Sequence, residues 1–162
     1  MKFAQILYKN SLYLFIAAIL SLLLTGCSSA PQKSYQLKPH GQHSKILKIA
    51  KKQLGKPYRY GGRSPKTGFD CSGLVQYSYK MAGILVPRTT QQLYNAARPV
   101  KRKHLQAGDL VFFRIDRGKI SHVGLYIGNS KFIHAPSSGK QVNIASLNNH
   151  YWRKHFSRGG RL

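Results

Sequence analysis

An apolar run close to the N-terminus is the first pattern in the chain. Residues 12–24 are apolar apart from Ser21, Lys2 and Lys9 precede them, and Leu24-Thr25-Gly26-Cys27 ends the run. A helix that crosses a bilayer needs about 20 apolar residues, whereas a basic segment, a shorter apolar run and small residues before a cleavage site are typical of a secretory signal. The pattern predicts a signal peptide at residues 1–26 and export of the remainder, with an uncleaved membrane anchor as the alternative.

The end of this run also carries a modification signal. Leu24-Thr25-Gly26-Cys27 resembles the lipobox of bacterial lipoproteins, which implies cleavage before Cys27 and diacylation of that residue. Ser28 resembles the residue that directs enterobacterial lipoproteins to the outer membrane. Residues 28–42 contain two prolines and no apolar periodicity, as in a flexible tether. We therefore assign residues 27–43 to the lipidated cysteine and tether and residues 44–162 to one folded domain.

Helical periodicity dominates the first half of the domain. A first helix is predicted from Ser44 to a stop at Gly55, with apolar positions at Ile46, Leu47, Ile49, Ala50 and Leu54. A second is predicted over residues 71–82, where Asp70 or Ser72 can cap the N-terminus, and a third over residues 89–97. Residues 56–70 hold three glycines and two prolines and are predicted to form a loop, the kind of segment that commonly carries a functional site.

The last third of the domain changes to the two-residue period of strands. Four short strands are predicted at residues 109–114, 120–127, 131–134 and 141–145, separated by Gly and Asn turn signals. Helices followed by strands indicate an α+β fold with a small antiparallel sheet.

Two histidines of this sheet meet if the hairpin register is favourable. His122 lies opposite the apolar face of its strand, and residues 128–130 look like a tight hairpin connection. A three-residue loop places Gly124 opposite His134, which makes His122 and His134 diagonal neighbours on one face. A two-residue loop would put them on opposite faces.

Charge narrows the classes of function. The chain has 27 Lys and Arg against 3 acidic residues, a formal charge of +24, and no Glu. Asp70, Asp109 and Asp116 are too few for a glycosidase with a Glu acid or for a carboxylate-rich calcium or magnesium site. Such a charge attracts polyanions, and export argues against nucleic acid as the physiological partner. An acidic cell-wall polymer and anionic lipid headgroups remain.

The cysteine count makes Cys71 a candidate functional residue. With Cys27 lipidated, Cys71 has no disulfide partner in an exported chain, so it is either a buried core cysteine or a reactive thiol. Its predicted place in the first turn of a helix favours a thiolate and offers N–H groups to an oxyanion. Zinc is disfavoured because the chain has no HExxH, no CxxC and no Glu, so we predict no metal site.

Six blocks of the domain stand in the order of a known family. They are Pro57-Tyr58-Arg59-Tyr60-Gly61-Gly62, Phe69-Asp70-Cys71-Ser72-Gly73-Leu74-Val75, Pro87-Arg88-Thr89-Thr90, Gly108-Asp109-Leu110-Val111-Phe112-Phe113, Ser121-His122-Val123-Gly124-Leu125-Tyr126-Ile127-Gly128 and Phe132-Ile133-His134-Ala135. The series resembles the NlpC-type cell-wall cysteine peptidases from about Ser44 to the C-terminus. With the ending Tyr151-Trp152-Arg153-Lys154-His155-Phe156, it is similar to the small murein endopeptidase lipoproteins of Gram-negative bacteria.

This resemblance implies a papain-like fold and a Cys-His-His triad. Cys71 matches the family nucleophile, His122 the general base and His134 the member that orients the base. Tyr58 matches a tyrosine that helps at the oxyanion, and Tyr60 occupies a variable aromatic position in the wall of the site.

Three more residues are candidates for substrate contact, and two of them, Asp70 and Ser72, flank the nucleophile as they do in the family. Asp70 and Ser72 are expected to shape the substrate subsite, although both are also ordinary helix caps. Arg88 can pair with a substrate carboxylate, and a solvated surface arginine is the alternative.

The activity that the resemblance implies is hydrolysis of peptidoglycan peptides through a thioacyl enzyme, a mechanism that requires no cofactor. Cleavage of D-Ala–diaminopimelate crosslinks and of γ-D-Glu–diaminopimelate stems both stay open. So do a non-catalytic wall-binding lipoprotein and a papain-like acyltransferase or amidase acting on another substrate. We expect a monomer held in the cell envelope by its lipidated Cys27, at the outer membrane and facing the periplasm.

Overall fold

The computed structural model describes residues 41–162. The predicted signal peptide, Cys27 and most of the predicted tether lie outside the described residues. The helices are α1 (Gly41–Lys51), α2 (Cys71–Met81), α3 (Thr90–Ala96) and α4 (His150–His155). The strands are β1 (Arg63–Ser64), β2 (Gly68–Phe69), β3 (Arg98–Val100), β4 (Leu110–Asp116), β5 (Lys119–Gly128), β6 (Lys131–His134), β7 (Asn143–Ser146) and β8 (Phe156–Arg161). No helix within residues 41–162 is long and apolar enough to cross a bilayer.

A six-stranded antiparallel sheet with helices against it confirms the predicted α+β class. Its strand order within the described residues is β3-β8-β4-β5-β6-β7, and β1 and β2 form a separate small pair. α1, α2 and α3 pack on one face, over a core that includes Leu74, Phe112, Val123, Leu125 and Ile133. A smaller cluster lies on the other face and consists of Val111, Phe113, Phe132 and Leu147, with Trp152 of α4 packed against it.

The first helix differs from its prediction at both ends. α1 begins at Gly41, and Ser44 Oγ donates to the Gly41 carbonyl at 2.9 Å, so Ser44 lies inside the helix and does not cap it. The helix ends at Lys51, before the predicted stop at Gly55, and turn residues continue as far as that glycine. Its buried residues are Ile46, Leu47 and Ala50, which agrees with the apolar period.

The second and third helices begin where their caps predict. Asp70 is the N-cap of α2, and its side chain accepts from Gly73 N at 2.6 Å, so of the two predicted caps Asp70 takes this role. Thr89 caps α3 in a reciprocal capping box with Gln92. These caps satisfy orphan N–H groups of the two helices and fix where each helix begins beside the loop of residues 56–70.

Close backbone approach explains two glycines of the family-like blocks. The Asp70 amide donates to the Gly62 carbonyl at 3.0 Å, at the point where the loop crosses the first turn of α2. A Cβ on Gly73 would overlap that same carbonyl, and a Cβ on Gly62 would lie 2.5 Å from the Gly68 carbonyl oxygen. A larger residue at Gly73 would push the loop away from α2, and a larger residue at Gly62 would force apart two segments of the loop itself.

The hairpin between β5 and β6 reaches the favourable histidine register by an unexpected route. Gly128 pairs with Lys131 across a two-residue loop, in which Asn129 and Ser130 have φ values of 51° and 54°. Of the two loop lengths considered, the structure has the two-residue loop, and the expectation that this loop would put the two histidines on opposite faces is wrong. The pairing shifts between Tyr126 and Gly128 because of a β-bulge, and Leu125 then pairs with Ile133. The extra residue of the bulge restores the predicted alignment of Gly124 with His134.

Strand β8, strand β3 and helix α4 were not predicted. β8 carries Gly159 and Gly160 between arginines, so its sequence has neither strand alternation nor an apolar face. Its position between β3 and β4 comes from tertiary contacts: a Cβ on Gly160 would lie 2.8 Å from the Phe112 ring, and Arg161 forms an ion pair with buried Asp109 at 2.6 Å.

Candidate active site

One open cleft of about 420 Å³ lies at the start of α2. Its lining residues are Tyr58, Tyr60, Gly61, Asp70, Cys71, Ser72, Arg88, Thr89, Thr90 and Ser121. The structure thus brings together all six predicted residues of the loop, of α2 and of the segment before α3. The two predicted histidines are not part of the cleft wall; they lie buried in the sheet beside it, with exposures of 4% and 2%.

Cys71 is the first residue of α2 and carries a free, half-buried thiol. Its Sγ lies 3.6 Å from Thr90 Oγ1 and 3.9 Å from the Ser121 carbonyl oxygen. Burial raises the pKa of the Cys71 thiol above its ordinary value, while hydrogen bonds from Thr90 and from the Val123 and Ser72 backbone oppose that rise. The resting nucleophile is therefore a thiol that needs a base.

His122 of β5 and His134 of β6 form a buried pair. His122 Nε2 lies 2.9 Å from His134 Nδ1, and the two rings are nearly perpendicular. Burial lowers the pKa of His122 to about 3, with a further contribution from His134. Burial also lowers the pKa of His134 to about 4, aided by the charge of Lys140. Both imidazoles are uncharged at neutral pH, as a proton acceptor must be.

We infer the tautomers of this pair from the surroundings of Asn143. It is the cross-strand partner of His134 on β7, its Nδ2 donates to the Gln141 carbonyl, and its side chain hydrogen-bonds to His134. The Asn143 oxygen is then the acceptor for the Nε2–H group of His134, which leaves His134 Nδ1 to accept from His122 Nε2–H. In this arrangement His122 Nδ1 is unprotonated and available as a base.

The thiol and this base are adjacent but not hydrogen-bonded. The Sγ of Cys71 contacts the carbonyl of Ser121, the residue directly before His122, and its other partner is Thr90. Catalytic hydrogen bonds are often long before a substrate binds. Proton transfer requires the His122 ring or the thiol to shift until Nδ1 and Sγ meet.

Asp70 joins three segments of the cleft. One carboxylate oxygen accepts from Gly73 N at 2.6 Å and the other from Gly61 N at 3.0 Å. Arg88 donates to both oxygens, at 3.0 and 2.6 Å, and to Ser72 Oγ at 2.9 Å. The alternative of a solvated Arg88 is therefore wrong, because the guanidinium is fixed in the cleft wall. Contact between these residues and a substrate stays a prediction.

The two tyrosines occupy different depths. Tyr58 is half-buried, and its amide donates to the Lys140 carbonyl at 2.8 Å. Burial raises the pKa of Tyr58, and the nearby ionisable groups of Cys71 and Asp70 raise it further, so the phenol remains a hydrogen-bond donor. Tyr60 is 89% exposed and stands at the rim of the cleft.

Three residues around the site were missed by the sequence analysis: Thr90, Asn143 and Trp152. Thr90 lies within the family-like segment 87–90 and Trp152 within the family-like segment 151–156, so both carried a signal without an assigned role. Asn143 carried none, because its importance comes only from pairing with His134 across two strands. Among residues 41–162, no three His, Cys, Asp or Glu side chains are grouped so that they could hold a metal ion.

Comparison with known families identifies the family of this chain. Residues 55–161 match the model of the NlpC/P60 family. The chain belongs to the NlpC/P60 family. All six cleft residues predicted from the sequence and both buried histidines lie within the matched range.

Individual NlpC/P60 proteins are similar over most of the described region. The murein DD-endopeptidase MepH of Escherichia coli K12 is 53% identical over 108 residues, which are 64% of this chain and 40% of MepH. A protein of Haemophilus influenzae named "Probable endopeptidase" is 37% identical over 151 residues, 88% of this chain and 92% of that protein. The chain thus spans less than half of MepH and nearly all of the Haemophilus protein.

A solved structure shows the same architecture. The crystal structure of a lipoprotein-like NLP/P60 protein from Staphylococcus aureus superimposes with a TM-score of 0.70 at 36% identity, covering 80% of this chain and 44% of that one. The sheet and the helices packed on it are therefore the NlpC/P60 fold that the sequence blocks implied.

Proposed function

We propose that this NlpC/P60 chain is a cysteine endopeptidase that hydrolyses peptide bonds in peptidoglycan. The observation that carries the proposal is a free thiol at the start of α2, in an open cleft, against the backbone of Ser121 and Val123, the two residues that flank His122 of the buried and uncharged His122–His134 pair. The relative named as a murein DD-endopeptidase supports the substrate class. Cys71 is the nucleophile, His122 the base and His134 the residue that orients it.

The reaction proceeds in two steps on these residues. His122 Nδ1 takes the Cys71 proton, the thiolate attacks the peptide carbonyl, and His122 returns the proton to the leaving amine as the C–N bond breaks. Water then attacks the thioacyl carbonyl while His122 accepts a proton from it, the C–S bond breaks to release the carboxylic acid product, and His122 returns the proton to the Cys71 sulfur. The Nε2–H bond to His134 supports the imidazolium in both steps. No cofactor takes part in this scheme.

The oxyanion of each step lies at the start of α2. The Cys71 amide is at the first helical position and has no acceptor within the helix. Together with the Tyr58 phenol it can donate to an oxyanion in the cleft. Asp70, Ser72 and Arg88 form the wall where we expect the substrate peptide to lie, with Tyr60 at its rim.

Export and lipid attachment belong to the same proposal. Residues 1–26 would be removed, Cys27 diacylated, and the domain held at the outer membrane, facing the periplasm as a monomer. The lipobox-like sequence supports this assignment. Mass spectrometry of the protein isolated from a Gram-negative host tests it: the expected N-terminus is an acylated Cys27, a Cys27→Ala variant should keep its leader, and an unmodified Cys27 in the wild type would refute lipidation.

Digestion of purified Gram-negative peptidoglycan tests the activity. The whole chain in detergent is compared with Cys71→Ala and with His155→Asn, an α4 variant outside the cleft, and the released muropeptides are identified by mass spectrometry. We expect crosslinked dimers to become monomers, or stems to shorten, with wild type and His155→Asn but not with Cys71→Ala.

The products also decide between the remaining alternatives. Conversion of dimers to monomers identifies a crosslink endopeptidase, and shortened stems identify cleavage within the stem. Activity that survives in a correctly folded Cys71→Ala variant would refute the nucleophile. Binding to peptidoglycan without release of any product by the wild type would instead favour a wall-binding module.

A further inference from the structure

The indole ring of Trp152 touches both histidines of the buried pair. Its ring lies 5.4 Å from the His122 ring, centroid to centroid, and is stacked on it with planes 29° apart. It lies 4.7 Å from the His134 ring in an edge-on arrangement at 84°. One side chain thus contacts both imidazoles, beside their hydrogen bond.

Aromatic rings of the sheet contact the histidine pair, and Trp152 covers it from outside the sheet. Phe113 faces His122 at 5.9 Å and Phe132 faces His134 at 5.0 Å, both from within the sheet. Trp152 packs on these two rings at 4.8 and 5.2 Å and comes from the short helix α4, outside the sheet. The titratable groups near the pair are Cys71 on α2 and Lys140 before β7.

We propose that Trp152 is a positioning residue that holds His122 and His134 in hydrogen-bonded alignment and keeps water from their bond. The inference deepens the proposed function and rests on it. Without the indole, the His122 ring gains room to rotate away from both the thiol and His134.

Kinetics of three α4 variants test this role. Trp152→Leu removes the stacked ring, Trp152→Phe keeps an aromatic face, and Tyr151→Leu is the matched control, because Tyr151 contacts Trp152 and His155 but neither catalytic histidine. We expect Trp152→Leu to lower kcat on peptidoglycan by about 10- to 100-fold with little change in KM. Trp152→Phe should recover much of the loss, and Tyr151→Leu should keep the wild-type kcat.

Imidazole titration followed by NMR gives a readout that does not depend on hydrolysis. In Trp152→Leu, water reaches the pair, so the pKa values of His122 and His134 should rise toward 6.5; in Tyr151→Leu they should not move. If wild type proves inactive, the endopeptidase proposal fails while this titration still tests Trp152. If Trp152→Leu does not fold, the titration of Trp152→Phe replaces it, with a smaller rise expected.

The wild-type chain offers a direct signature as well, since Trp152 is its only tryptophan. A protonated imidazole in contact with an indole quenches its fluorescence, so acidification should quench Trp152. The double variant His122→Asn, His134→Asn should lose this quenching, whereas His155→Asn should not. The proposal is overturned if kcat and the imidazole titration are unchanged in the folded Trp152 variant, if Tyr151→Leu loses as much activity, or if the quenching persists in the variant that lacks both histidines.

Discussion

At the scale of single residues, Thr90 opposes the rise in the pKa of the Cys71 thiol that burial causes. Its hydroxyl, 3.6 Å from Cys71 Sγ, is the foremost of the hydrogen bonds that oppose the rise in the thiol pKa. Thr90 is itself nearly buried, with 9% exposure, so water cannot easily replace its hydroxyl. The residue therefore influences how much thiolate forms without being placed in the catalytic triad.

Replacing Thr90 tests this contribution. Thr90→Val keeps the shape of the side chain and removes the hydroxyl, so we expect the Cys71 pKa to rise further and the rate of iodoacetamide alkylation to fall at neutral pH. Thr90→Ser should alkylate as the wild type does. A pH profile of alkylation that is identical in Thr90→Val and wild type would show that the hydroxyl does not interact with the sulfur.

Asp70 contributes to stability through the segments that it joins. Asp70→Asn removes the charge that pairs with Arg88, and the amide must turn a donor toward one of the donors of Arg88 or Gly61. Because the carboxylate is 13% exposed, solvent weakens this pair only in part. We expect a loss of about 1–3 kcal/mol in the free energy of unfolding, measured by urea denaturation.

The matched control for this change is Asp116→Asn. Asp116 is exposed, and no ion pair involves it among residues 41–162. The same chemical change there should alter stability by less than about 0.5 kcal/mol. Equal losses in the two variants would contradict the bridging role of Asp70.

At the scale of elements, sequence patterns predicted those that carry the site. Cap residues and helical spacing predicted where α2 begins, and strand alternation put His122 on the less apolar face of β5. The bulge at Ile127 could not be predicted, because it depends on how β5 pairs with β6. α4 is six residues long with no buried residue, so its sequence gave no periodic signal, although it supplies Trp152.

The buried pair formed by β5 and β6 should make stability fall in acid. The pKa values of His122 and His134 are lowered in the folded chain, to about 3 and about 4, against 6.5 when unfolded. Between these values the unfolded chain binds more protons than the folded one, so the free energy of unfolding decreases as pH falls from about 6.5 toward 4. We expect a loss of several kcal/mol over this window, measured by denaturation at a series of pH values.

Two variants isolate the source of this acid sensitivity. His134→Asn removes one buried titrating group and should flatten the dependence of stability on pH. His155→Asn, on exposed α4, should leave it unchanged. An equal slope in wild type and His134→Asn would mean that the pair does not bind protons on unfolding in the way that its burial indicates.

At the scale of the whole molecule, two of the three carboxylates form ion pairs within the fold. Asp70 is paired with Arg88, and Asp109, with a fully buried side chain, is paired with Arg161. Of the chain's 3 acidic residues only Asp116 is left at the surface, against 27 Lys and Arg in the sequence. Three lysines of one helical face, Lys48, Lys51 and the adjoining Lys52, surround an open depression beside Leu47. The described surface is therefore strongly cationic.

Such a surface should hold the protein on an acidic wall polymer by long-range attraction that salt screens. The Debye length falls from about 10 Å at 0.1 M salt to about 3 Å at 1 M, so retention of the inactive Cys71→Ala chain on purified peptidoglycan should drop steeply over this range. A Lys48→Gln, Lys51→Gln, Lys52→Gln triple variant should bind more weakly at low salt and depend less on salt. Hydrolysis of short soluble peptides depends on the cleft, so it should change little between the two proteins when both carry Cys71.

Retention that does not respond to salt would show that the cationic surface is not what binds the wall. Retention on anionic lipid vesicles but not on peptidoglycan would assign that surface to the membrane.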